Sequence, residues 1–138
     1  VKRSTFNYIA DMIRDYPSAE EYIRRREQEL MYRYQEFKDE NVGGGRAENK
    51  KDEGVAQMAI TIATDRRIEN IKRNQKAVGQ ALKNSGEITQ DIIYELYLRE
   101  NGIYNTEGVA QKAHISVSQV RRKRNKFFEL VAEERGLA

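Results

Sequence analysis

Apolar residues recur along this chain at spacings of three and four, the period of a helix with one buried face. In residues 4–15, Phe6, Ile9, Ala10 and Ile13 share such a face, and Ser4 stands where an N-cap belongs. Tyr16-Pro17 interrupts the pattern, because a residue before proline is pushed out of the helical region. Ser18 restarts it as an N-cap, and Glu21, three residues on, completes a capping box. The second helix is expected to reach about Lys38. Its stripe is Tyr22, Ile23, Leu30, Met31, Tyr34 and Phe37, with Arg24, Arg25, Arg26, Glu27 and Glu29 on most of the remaining surface.

Residues 39–54 break the period with three consecutive glycines and mixed charges, which predicts a flexible loop. Gly43-Gly44-Gly45-Arg46 has the backbone freedom to cradle a phosphate. It lacks the Lys-Ser or Lys-Thr ending of a nucleotide loop and no strand precedes it, so a loop ordered by a partner is the preferred reading. The helical pattern resumes over residues 55–83 through Val55, Met58, Ala59, Ile62, Ile68, Ile71, Val78 and Leu82. One unbroken helix there would span roughly 40 Å, although Gly79 weakens it. The second helix can lie antiparallel along its first half. Arg66, Arg67, Lys72, Arg73 and Lys76 make its middle basic, either as a solvated face or as extra phosphate contacts. Asn84-Ser85-Gly86 closes this segment. Residues 87–100 then form a strong amphipathic pattern, with Ile88, Ile92, Ile93, Leu96 and Tyr97 on one face and Asn101-Gly102 as the stop.

Residues 106–128 (TEGVAQKAHISVSQVRRKRNKFF) read as two helices joined by a tight turn. Thr106 is the expected N-cap of the first, with Val109, Ala110 and Ala113 facing inward. His114 falls at the turn, where the backbone often needs φ > 0; histidine is among the residues enriched there. Ile115 enters the core, Ser116 caps the second helix and Gln119 completes a capping box. Val120, Phe127, Phe128 and Val131 are the expected buried stripe. On the far side lie Ser118, Arg122 and Asn125, flanked by Gln119, Arg121 and Lys126.

Charge sharpens that face. The chain has 138 residues and a net charge of only +3, yet residues 112–126 hold six Lys or Arg and no Asp or Glu. A helix of this kind fits the major groove. Arginine bonds guanine in a bidentate way, and asparagine or glutamine does the same with adenine. The expected DNA contacts are Val117, Ser118, Gln119, Arg121, Arg122, Asn125 and Lys126, with Thr106, Lys112, Lys123 and Arg124 as candidates for the phosphate backbone. Gln119 has a competing use as a cap, and Lys123 and Arg124 point nearer the protein side. A charged surface helix with no partner is the plain alternative.

Composition excludes other chemistries. With no cysteine and one histidine, disulfides and a Cys/His zinc site within one chain are ruled out. No apolar run approaches the roughly 18 residues of a membrane span, and no stretch has the order of a signal peptide. His114 has no nucleophile to serve, and Glu20-Glu21 fits a helix start better than acid–base work. No catalytic residue, metal or cofactor is expected, and no enzyme activity.

The sequence Thr106, Val109-Ala110, Ile115-Ser116 and Val120 resembles the C-terminal DNA-binding region of bacterial sigma factors. Over nearly all 138 residues, the order of Asp15-Tyr16-Pro17, a charged helix, Gly43-Gly44-Gly45-Arg46, a long helix and a terminal reader resembles the RinA-like (ArpU-like) phage transcriptional regulators. That resemblance implies a phage or prophage activator of late packaging and virion genes. Such a protein binds double-stranded promoter DNA and works with host RNA polymerase in the bacterial cytoplasm. Lys123 departs from the aliphatic residue such families often place there.

The expectation is therefore an all-α protein. Residues 1–84 would form a helical arm for oligomerisation, as in a homodimer, or for partner binding. Residues 85–138 would form a sigma-like helix-turn-helix domain. A small terminase-like DNA-packaging subunit and a helical interaction protein without nucleic acid are the competing readings.

Overall fold

The computed structural model describes residues 2–40 and 47–137, with side chains for 2–33 and 53–137. The described residues form helices and no strand: α1 (Arg3–Asp15), α2 (Ala19–Glu40), α3 (Ala47–Thr64), α4 (Arg66–Lys83), α5 (Glu87–Ile93), α6 (Thr106–Ala113) and α7 (Val117–Arg135). A 3-10 turn, Tyr16–Ser18, joins α1 to α2, and a π-helical turn, Tyr94–Leu98, extends α5. The chain is all-α, as its periodicity implies.

The helices gather into two compact units, one of residues 19–72 and one of residues 1–18 with 73–138. The division expected at 84/85 is thus replaced. Ile9, Ala10, Met12 and Ile13 of α1 and Ala77, Val78 and Ala81 of α4 share one core with Ile93, Phe127, Phe128, Val131 and Ala132. The Phe6 ring stacks on Phe128 with centroids 4.4 Å apart, which adds about 0.5–1.5 kcal/mol to the burial of the two rings. Gly79 leaves α4 unbroken, and a Cβ there would touch the Tyr16 hydroxyl at 3.4 Å, an ordinary contact distance. At the far end, Gly136 adopts φ 70°, and the Leu137 N–H donates to the Ala132 carbonyl, closing α7.

In the other unit, α2 and α3 pack as a hairpin, the start of α2 meeting the end of α3. Among the described side chains its core holds Ile23, Leu30 and Ile68, with Ile62 and Ile71 partly buried against them. The single long helix expected over residues 55–83 is two helices, because Asp65 is an N-cap. Its Oδ1 accepts the N–H groups of Arg67 and Ile68, each at 3.1 Å. The Arg26 guanidinium grips the same carboxylate, Nη2 to Oδ2 at 2.9 Å, and holds its pKa below the usual range.

Two further expectations change. The loop predicted over 39–54 is helical at Asp39–Glu40 and from Ala47 onward; alanine, glutamate and lysine are good helix formers whatever their charge pattern. The Gly43-Gly44-Gly45-Arg46 cluster lies outside the described residues. Helix α1 begins at Arg3 after Lys2, so Ser4 is inside it rather than its cap.

Candidate nucleic-acid interface

The α6–turn–α7 segment is fixed first by its backbone. Asn105, not Thr106, caps α6: its Oδ1 accepts the Gly108 N–H at 2.8 Å, which leaves Thr106 as the first helical residue. A side chain on Gly108 would sit 3.1 Å from Tyr104 and 3.3 Å from the capping oxygen, so glycine keeps that corner closed. His114 ends α6 at φ 57°, ψ 40°, the left-handed region expected of it. The Ile115 N–H reaches back to the Ala110 carbonyl at 3.1 Å and the His114 N–H to Gln111, closing the helix end as a Schellman motif. Ser116 then starts α7. Its Oγ accepts the Gln119 N–H, and the Gln119 Oε1 accepts the Ser116 N–H, both at 3.1 Å. A cap of this kind is worth about 1 kcal/mol.

Packing fixes the angle between these helices. Ile92 of α5, Val109 and Ala110 of α6, and Val120 of α7 form one buried cluster, with Leu96, Tyr104, Ile115 and Val117 against it. Small residues at 109–110 let α6 and α7 approach closely. A single amphipathic run here serves two cores. Ile92 and Leu96 face this cluster, whereas Ile93, Tyr97 and Leu98 face the core of α1, α4 and α7. The run expected as one helix to Glu100 therefore ends at Leu98; Ile88 is 44% exposed and Gly102 does not adopt positive φ.

A buried acid, Glu95, lies at the same junction and went unread in the sequence. It is 6% exposed and takes Lys112 Nζ at 2.7 Å and Arg99 Nη1 at 2.9 Å. Lys112, with Arg99 in support and against the cost of burial, holds the Glu95 carboxyl below the usual range, so it stays charged. The available signal was its position: three residues after Ile92, on the apolar face.

The expected contact residues separate into two sets. Ser118, Arg121, Arg122, Asn125 and Lys126 lie exposed along one side of α7, and among the described residues none ion-pairs Arg121, Arg122 or Lys126. This basic face covers only the first half of α7, because Glu129, Glu133 and Glu134 follow. The first turn of α7 holds no acid, so apart from the Ser116 cap no negative charge of its own opposes its positive dipole end.

The other set is engaged by the fold. Val117 packs half-buried on the α5–α6–α7 cluster. The Gln119 carbonyl oxygen is used in the cap. Lys112 sits on Glu95 and 5.0 Å over the Tyr104 ring. Arg124 lies 5.2 Å over the Phe6 ring and donates to Asn125 Oδ1. Lys123 is half-buried, and Thr106 stands in the first turn of α6. Of the four candidates for the phosphate backbone, Lys112 and Arg124 are thus held by protein partners.

A family model described as "Protein of unknown function (DUF722)" matches residues 7–133. No curated protein and no solved structure matches the chain.

Proposed function

The chain belongs to the DUF722 family, and from that premise we propose that it is a sequence-specific double-stranded DNA-binding transcription regulator. The observation that carries this reading is the exposed side of α7, where Arg121, Arg122 and Lys126 have no ion pair among the described residues, and Asn125 keeps its amide NH2 beside an Oδ1 that accepts from Arg124, on a helix whose start and angle are fixed. Arg122 and Asn125 read base edges, Ser118 stands beside them near the helix start, and Arg121 and Lys126 neutralise phosphates on the flanks. The positive dipole end of α7, which carries no acid in its first turn, adds an attraction for the backbone. The resemblance to RinA-like phage regulators supports the finer reading, an activator of late genes acting with host RNA polymerase.

The test is binding of the full chain to a promoter fragment. Arg122→Ala should lose roughly 1–3 kcal/mol of base discrimination. Lys126→Ala should weaken binding evenly across sequences and lower the salt slope by about 1. If affinity and sequence preference are unchanged in both variants, the assignment fails.

A further inference from the structure

We propose that the outward face of α3 is a self-association surface on which a second copy of this chain docks, α3 against α3 in antiparallel order. The face is unusual for this protein. The chain is 34% charged, yet residues 55–64 (VAQMAITIAT) contain no Asp, Glu, Lys or Arg. Met58 and Ile62 of that stretch are half-buried on the inner side of the hairpin. Ala56, Ala59, Ile60 and Ala63 occupy positions i, i+3, i+4 and i+7, the spacing of an apolar stripe that packs on another helix. All four are exposed, Ile60 by 56%, and Val55 beside them by 55%. The hydroxyls of Thr61 and Thr64 are already bonded to the Gln57 and Ile60 carbonyls. The stripe therefore offers small apolar surface and no hydrogen-bonding side chain.

Two features select a second copy as the occupant. The stripe is symmetric about the point between Ala59 and Ile60, so antiparallel pairing sets Ala56 against Ala63 and Ala59 against Ile60. A two-fold interface needs this self-complementarity. The ends also match in charge: exposed Glu53 precedes the stripe, and exposed Arg66 and Arg67 follow it. Antiparallel order brings the acidic end of one copy to the basic end of the other, whereas parallel order sets like beside like. Three alanines allow the helix axes to approach closely. A stripe of two turns is small beside the roughly 800 Å² per partner of a standard interface, so the association is reversible.

The absence of cysteine makes the test direct. Sedimentation velocity of the full chain should show a dimer that dilutes to monomer. Ile60→Glu should raise the dissociation constant at least ten-fold with unchanged helicity, since Ile60 is exposed in the single chain. Under mild oxidation, Ala56→Cys protein should cross-link to Ala63→Cys protein in preference to itself. The proposal is overturned by a monomer at every concentration, by a dimer of unchanged affinity in Ile60→Glu, or by a preference of Ala56→Cys for itself, which marks parallel order. A ring of many subunits also overturns it, because a two-fold contact closes at two.

Discussion

The unit built on α7 and the α2–α3 hairpin carry apolar residues at the same helical period, but they bury them differently. Around α7, the side chains of Phe127, Phe128, Val131, Ile9 and Ile13 are at most 1% exposed. In the other unit the described residues that are buried are Ala19, Ile23, Leu30 and Ile68, each still 3–8% exposed, and the most apolar stretch of α3 faces outward. The polar residues differ in the opposite sense. On the outward side of α7, Arg121, Arg122 and Lys126 have no ion pair among the described residues, whereas the hairpin uses Arg26 and Asp65 to hold itself together. A helical period reports that a face needs cover. It does not report whether the cover comes from the same unit or from another molecule.

Core truncation tests that contrast most strongly. Phe127→Ala should cost about 3–5 kcal/mol in denaturant unfolding, and Leu30→Ala about 2 kcal/mol, because the hairpin relaxes around a smaller core. Equal losses would erase the distinction. Acid should act on both regions. Asp65 and Glu95 have folded pKa values below the ordinary carboxylate values. Their contribution is therefore fully present above the unfolded value of about 4 and is lost as pH falls through the folded one. Far-UV circular dichroism against pH should show Glu95→Gln altering the acid response of the α7 unit and leaving that of the hairpin unchanged; an identical profile in the variant would contradict the Lys112–Glu95–Arg99 account. The smallest effect is at the turn. His114→Gly should stabilise by about 0.5 kcal/mol, the relief of a left-handed residue less glycine's entropy. A lower melting temperature would show that His114 makes a contribution beyond its backbone.

Legibility in the sequence followed the range of the interactions. Local signals were read well: the His114 turn, the Ser116–Gln119 capping box and the Val120/Phe127/Phe128/Val131 stripe need only neighbours in sequence. Errors arose where a distant partner decides. Asp65 breaks the long helix with Arg26 bound to its carboxylate, 39 residues earlier in the chain. Ile92 with Leu96 and Ile93 with Tyr97 serve two cores that periodicity alone merges into one face. The charges of Lys112 and Arg124 are visible in the sequence, while the protein partners they also have, Glu95 and Phe6, lie outside the α6–α7 segment and went unread. The exposure of Ser118, Arg121, Arg122, Asn125 and Lys126 was legible, since it follows from the same period that buries Val120.

The central claim, that this face of α7 reads DNA sequence, is tested most directly by selecting bound DNA from a random duplex library with the full chain and with Arg122→Ala in parallel. The account predicts a recurrent motif for the unaltered chain and a loss of preference at one or two of its positions in the variant. A pool no richer in any motif than the input, or an identical motif from both proteins, would contradict it.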